Sequence, residues 1–226
     1  MILHIGDRFR RVEEGTSTPQ PRAFLVGQMT GPLSIQAEGA VDVLGVRFKP
    51  GGLAPFVRLS LDELTGRAPA LEEIWGDESR GLIERMAACG SDSDRIAQVE
   101  LYLALLFECA GRTDRPIEAM TAAILAASGR VRVAWLAEAS GLSARQLERR
   151  FLARVGIGPK MLCRIARFQS TLAALSARPR DDWASLAVDC GYFDQSHLIG
   201  EFKAFSGMTP ASWSAQRHPL SDLFTG

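Results

Sequence analysis

Residues 136–159 read LAEASGLSARQLERRFLARVGIGP and residues 186–210 read LAVDCGYFDQSHLIGEFKAFSGMTP, and the second stretch restates the first. Leu136-Ala137, Gly141, Leu147, Phe151, Gly156 and Pro159 return as Leu186-Ala187, Gly191, Leu198, Phe202, Gly207 and Pro210. The offset is 50 residues up to the glycine and 51 beyond it, so the second copy carries one extra residue within Tyr192 to Asp194. A short helix, a glycine turn and a second helix with apolar anchors is the outline of a helix-turn-helix, whose second helix enters the DNA major groove. Two copies predict one chain reading two groove segments.

Each position in the repeat has a physical reason. Ala137 and Ala187 are small where the helices of a unit cross, and Gly141 and Gly191 end the first helix where a positive φ is wanted. Ser143 with Gln146 makes a capping box that fixes the start of the first reading helix. Leu147 and Phe151 bury its inner face, which leaves Ala144, Arg145, Glu148 and Arg149 pointing outward. Ser143, Gln146 and Arg150 complete the candidate DNA-binding set of this helix, with Arg150 and Arg154 further round, placed for phosphate or solvent. Arginine bridges guanine O6 and N7 or clamps a phosphate, and helix N-terminal turns favour phosphate as well.

In the second copy Asp194 is the expected cap and Leu198 and Phe202 are the inner anchors. Asp194, Gln195, Ser196, Ile199 and Lys203 remain for the outer surface, where Gln195 suits adenine by bidentate pairing. His197 stands among them, for phosphate contact or for packing. Between the copies, Pro159 opens a long helix with Met161, Leu162, Ile165, Phe168, Leu172 and Leu175 at helical spacing, a stiff spacer for the two reading helices. Thr209-Pro210 starts a last short helix with Trp213 turned inward.

The charge pattern agrees with this reading. The chain is neutral overall, yet residues 130–180 hold 11 Lys and Arg against 2 Asp and Glu, while residues 1–129 hold 13 against 18 and residues 181–226 hold 2 against 6. A basic block inside a neutral protein is the footprint of a DNA-facing surface, or of a merely solvated arginine-rich face. At 226 residues and 46% hydrophobic, the chain can build one large or two small cores. Apolar runs fall far short of a membrane span and the N-terminus lacks a signal layout, so a cytoplasmic protein with no membrane partner is expected.

Enzymatic alternatives find little to stand on. Cys89, Cys109, Cys163 and Cys190 form no C-x-x-C pair, which disfavours a zinc ribbon or redox motif and leaves free buried thiols as the expectation. A cupin-type metal oxygenase needs clustered histidines and a carboxylate, and only His4, His197 and His218 are present. A methyl-accepting repair protein needs a reactive cysteine in a basic or metal-bound setting, which no cysteine offers here. No catalytic residue, metal ligand or cofactor is therefore assigned.

Ahead of the repeat, the first eighty residues read as β-rich and then irregular. Arg22 to Gln28, Leu33 to Ala37 and Val41 to Phe48 are short apolar and β-branched runs punctuated by Thr30-Gly31-Pro32, Glu38-Gly39 and Lys49-Pro50-Gly51-Gly52, which predicts a small antiparallel sheet or part of a barrel. Ser60 with Glu63 signals a short capped helix, and Leu71 to Trp75 another turn. From residue 79 the pattern is helical. Ile96, Val99, Leu103 and Leu106 form a stripe that Leu101 and Leu105 widen, facing a core or a partner. Asp114 can cap the next helix, which carries Ile117, Met120, Ile124 and Ala127 on one face and ends at Gly129.

Together these residues resemble the AraC/XylS type of bacterial transcription regulators. The resemblance rests on Leu136-Ala137 to Gly141-Leu142-Ser143, on Arg145, Leu147, Arg149, Phe151, Gly156 and Pro159, and on Gly191-Tyr192 to His197-Leu198, Phe202-Lys203, Gly207 and Thr209-Pro210. It spans about residues 116–216. It implies two reading helices in successive major grooves of double-stranded DNA, with a small-molecule effector, a homodimer and RNA polymerase as further partners. Gly27 to Pro50, with Gly45, Arg47 and Pro50-Gly51, is similar to the cupin-like N-terminal domain of one branch. Relatives carry more strands ahead of the segment matching Ile2 to Phe9, which implies a sensor domain entered partway.

At the position of Gly200 the family usually has an arginine, so one base or phosphate contact is missing here. The expected architecture is α+β: a β-rich cupin-like domain over 1–78, a helical connector with a possible dimer face over 79–129, and an all-α tandem helix-turn-helix domain over 130–217. The competing reading is a helical scaffold for protein interaction, although solenoids usually need three or more repeats plus caps.

Overall fold

Among the described residues six short strands fold as two separate antiparallel sheets at the front of the chain, and helices dominate from residue 71 onward. The computed structural model describes residues 1–13, 15–108, 113–177 and 182–215. Contacts divide the chain into two units. The first comprises Met1–Met29, Leu33–Arg115 and Arg150–Ile157, and the second comprises Thr30–Pro32, Pro116–Arg149 and the described residues from Gly158 onward.

In the first unit, β1 (Ile2–His4) is the centre of one sheet, flanked by β4 (Ala23–Phe24) and β6 (Val43–Gly45). β2 (Phe9–Glu13) is the centre of the other, flanked by β3 (Thr16–Pro19) and β5 (Ser34–Ala37). The expected strands over 22–28, 33–37 and 41–48 are thus present but shorter, and the segment ahead of them supplies three more. β3 escapes a hydrophobic reading because all four residues, Thr-Ser-Thr-Pro, are exposed; it is an edge strand, where proline is tolerated. The two sheets share no strand among the described residues. The cupin-like expectation therefore reaches only as far as a β-rich antiparallel module.

Leu3 of β1 and Leu25 just after β4 enter a core with Leu53, Leu61, Leu64 and Leu71. The same core takes Leu82 and Met86 from α2 (Leu82–Ala88) and Val99 and Tyr102 from α3 (Asp92–Glu108), and α1 (Leu71–Trp75) precedes them. The Ser60 N–H donates to the Glu63 carboxylate at 3.1 Å, the expected box, opening a single 3-10 turn over Leu61–Leu64.

The stripe expected on α3 needs correcting. Val99 and Tyr102 are its buried positions, with Leu103 and Leu106 packed beside them, while Ile96, Leu101 and Leu105 are 51%, 55% and 56% exposed. A helix turns about 100° per residue, so Leu101 and Leu105 lie about 200° round from Val99 and Leu103. Near Ile96 the inward position is taken by Arg95, which donates to Asp42 at 3.0 Å and to the Met86 carbonyl at 3.3 Å.

His4 is fully buried between the rings of Phe9 and Phe24, at 5.5 and 5.6 Å, with Nε2 3.2 Å from the Gln20 amide oxygen. Burial pushes its pKa below the ordinary 6.5, and the Gln20 contact only partly opposes this. Between the two values the unfolded chain binds more protons than the folded one. The His4 contribution is therefore complete above about pH 6.5 and falls as the pH drops toward the depressed folded value. Urea midpoints should drop between pH 7.5 and pH 5.5 in the wild type and drop less in His4→Gln; an equal drop in both would remove His4 as the cause.

The second unit is helical. Its elements are α4 (Arg115–Ala126), α5 (Val133–Ser140), α6 (Ala144–Val155), α7 (Pro159–Ala177), α8 (Trp183–Asp189), α9 (Gln195–Ser206) and α10 (Pro210–Ser214), with α6 running on into the Arg150–Ile157 part of the first unit. Leu136, Leu147, Phe151, Leu186, Leu198 and Phe202 are all fully buried, so every large anchor of the repeat faces inward. Leu172 and Leu175 of α7 join Leu186, Ala187, Leu198 and Phe202 in one core, with Phe168, Trp183 and Trp213 against it. Phe168 stacks edge-on to Phe202 at 5.1 Å. Gly141 and Gly191 have φ of +66° and +77°, the left-handed turn each helix pair requires.

Candidate nucleic-acid interface

The surface is built from the starts of α6 and α9, and both starts are capped as their sequences demand. At α6 the Ser143 N–H donates to Gln146 Oε1 at 2.9 Å and the Gln146 N–H donates back to Ser143 Oγ at 3.3 Å. At α9 the Asp194 carboxylate accepts the His197 N–H at 2.7 Å. Capping leaves each helix a rigid first turn from which side chains project without fraying.

On α6, Ser143, Ala144, Arg145, Gln146, Glu148 and Arg149 are exposed. Arg145 and Arg149 lie one turn apart. The Glu148 carboxylate lies closely over Gly158, where it occupies the space a side chain would need. Arg150 is half-buried and held by Asp114, its Nε donating at 2.9 Å. Asp114 is thus engaged with a guanidinium, and Arg150 enters the surface with its charge already shared.

On α9, Asp194, Gln195, Ser196, His197 and Lys203 are exposed and Ile199 is half-buried. His197 works within its own turn, where its Nδ1 accepts the Phe193 N–H at 3.3 Å and its ring meets Tyr192 edge-on at 5.4 Å. An accepting Nδ1 places the proton of the neutral ring on Nε2. The histidine therefore holds the turn that leads into α9.

Two positioning contacts carry no local signal in the sequence. Arg164 of α7 donates through Nε to both Glu201 oxygens, at 2.9 and 3.1 Å, and lies over the Phe205 ring at 5.2 Å, which ties α9 to α7. Burial alone would raise the Glu201 pKa, but the Arg164 hydrogen bond and charge outweigh it and hold the carboxyl below its usual range. The aliphatic part of Arg130 packs over Gly191, and its Nη1 reaches the Asp189 carbonyl at 3.3 Å.

These contacts sort the basic block. Arg130, Arg150, Arg164 and Arg167 are engaged within the protein, Arg167 over the Tyr192 ring at 5.7 Å. Arg132, Arg145, Arg149 and Lys160 are exposed, and Arg154 is half-buried. Arg178 and Arg180 lie outside the described residues.

Gly200 is exposed and a Cβ built there meets nothing within 4 Å. No neighbour among the described residues demands a glycine, and glycine inside a helix costs about 1 kcal/mol relative to alanine. Gly200→Arg should therefore stabilise α9 and bind duplex DNA more tightly, with a steeper salt dependence. Titrations of both proteins on one operator at several salt concentrations check this; weaker binding with an unchanged slope would mean that DNA itself approaches this point closely.

Of the cysteines, Cys163 and Cys190 are buried, Cys89 is half-buried, and Cys109 lies outside the described residues, as does His218. Burial pushes the Cys163 thiol up, away from thiolate reactivity. Among the described residues no group of three or more His, Cys, Asp or Glu is placed to hold a metal ion. No helix among them is long and apolar enough to cross a membrane.

Two parts of the chain match known domain families. Residues 136–216 match a family described as a helix-turn-helix domain, and residues 1–69 match one described only as a domain of unknown function. Among curated proteins none matches the chain. The helix-turn-helix match runs from Leu136 within α5 past both turn glycines and includes every candidate contact residue on α6 and α9.

Proposed function

We propose that the protein is a sequence-specific DNA-binding transcription regulator in which α5–α6 and α8–α9 act as two helix-turn-helix units reading successive major grooves. The observation that carries this reading is the pair of capped helices, each with a polar outer face over fully buried anchors, inside a segment that matches a helix-turn-helix domain. That match supports a DNA-binding regulatory role.

Within this reading Arg145 and Arg149 serve the first groove, together with Ser143, Ala144, Gln146 and Glu148. Gln195, Ser196, Ile199 and Lys203 serve the second, and Arg150 and His197 support the two helices from behind. The reader spans residues 130–217, residues 79–129 join it to the β-rich part, and residues 1–78 act as a cupin-like sensor. Control comes from a small-molecule effector or from homodimer formation, and RNA polymerase is the partner that receives the signal. The helical-scaffold alternative gains nothing from capped, polar helix starts.

Selection of duplexes from a random pool by the full chain tests the proposal. Binding to the selected sequence should exceed binding to random duplex by at least about a thousandfold and weaken steeply with salt, since each neutralised phosphate adds about 0.9 to the slope. Equal, weak affinity for both at about 0.1 M salt would refute it.

A further inference from the structure

Phe193 is 89% exposed, the most exposed large apolar side chain among the described residues. Its backbone is nevertheless firmly placed. The Phe193 N–H is held by His197 Nδ1 at 3.3 Å, the next residue is the α9 cap Asp194, and the preceding Tyr192 is buried in the core with its hydroxyl 3.4 Å from Thr171 Oγ1. The fold therefore presents an aromatic ring at the very start of the second reading helix, and the described residues leave it uncovered.

The electrostatics of this half of the surface show what such a ring is for. Across residues 182–215 the only lysine or arginine is Lys203, against Asp182, Asp189, Asp194 and Glu201. With Lys203 its one cation, this helix gains less from phosphate neutralisation than α6 does, so uncharged contacts carry more of its reading. Gln195 offers a bidentate amide for adenine. Phe193 offers only an apolar face, and the one apolar feature in the major groove is the thymine C5-methyl group.

Resting on the DNA-reading function proposed above, we infer that Phe193 is a base-reading residue of the second unit. Its ring packs on a thymine methyl beside the base read by Gln195. Val188, 69% exposed on α8, adds a second apolar side chain on the element before the turn.

The test uses the full chain and a duplex selected by it, with each thymine replaced in turn by deoxyuridine, which removes only the methyl group. At one thymine the replacement should weaken wild-type binding roughly fourfold to tenfold, the effect of burying one methyl-sized apolar group. Phe193→Ala should weaken binding to the unmodified duplex by a similar factor, become insensitive to that one replacement, and keep both the wild-type salt slope and the wild-type Tm. Replacements that weaken both proteins equally, or none that weakens the wild type, would overturn the assignment. Wild-type affinity in Phe193→Ala would also overturn it, and would give the ring to a protein partner instead. Failure of the wild type to prefer any duplex over random sequence is a separate result: it refutes the DNA-reading function, and this assignment with it.

Discussion

Phe202→Ala is expected to cost the protein about 3 to 5 kcal/mol, the range for removing a buried aromatic ring. Phe202 is fully buried and its ring meets Phe168 at 5.1 Å and Trp213 at 6.1 Å, so it joins α7, α9 and α10 at one point. Alanine would leave a cavity that three helices cannot close together, because each is also held by other anchors. Arg164 and Glu201, for example, tie α7 to α9. The urea midpoint should fall with the slope of the transition unchanged. DNA binding should fall with it, since α9 then loses its fixed position. A loss below about 1 kcal/mol would show that the site collapses around alanine and that the ring is not the anchor its burial indicates.

The second large effect concerns Arg145 and Arg149. Both are exposed and stand one turn apart on a capped helix whose other face is fixed by Leu147 and Phe151. Each alanine variant should lose about 1 to 3 kcal/mol of operator affinity, and at least one should relax base preference at a single position. The double variant should lose more than either, with some coupling because the two side chains are neighbours. Measuring both on a panel of single-base operator variants decides their roles. Losses of equal size on every sequence would make both arginines phosphate clamps.

Much of this surface was legible in the chain itself. Leu147 and Phe151 stand four residues apart, as do Leu198 and Phe202, so a helix alone turns each pair to one side, and all six large anchors of the repeat are buried. Capping depends on residues three apart, and the Ser143–Gln146, Ser60–Glu63 and Asp194 caps form as their sequences require. The left-handed glycines at 141 and 191 are equally local. Where periodicity was ambiguous it misled: α3 is rich in leucine on more than one side, and only the core of Leu82, Met86 and Leu71 selects Val99 and Tyr102 as the inward face.

Local rules of spacing and turn chemistry thus determined the helix pairs, their caps and their outward residues from sequence, because each depends on groups a few residues apart. Tertiary structure alone decided which charges remain available to a ligand. Arg150 meets Asp114 across 36 residues of chain and Arg164 meets Glu201 across 37. No sequence pattern marks either pair, since an ion pair needs only that two side chains end within a few ångströms of each other. It likewise decided that Phe193 stays uncovered while its neighbour Tyr192 is buried, because burial depends on whether another part of the fold arrives to cover the ring.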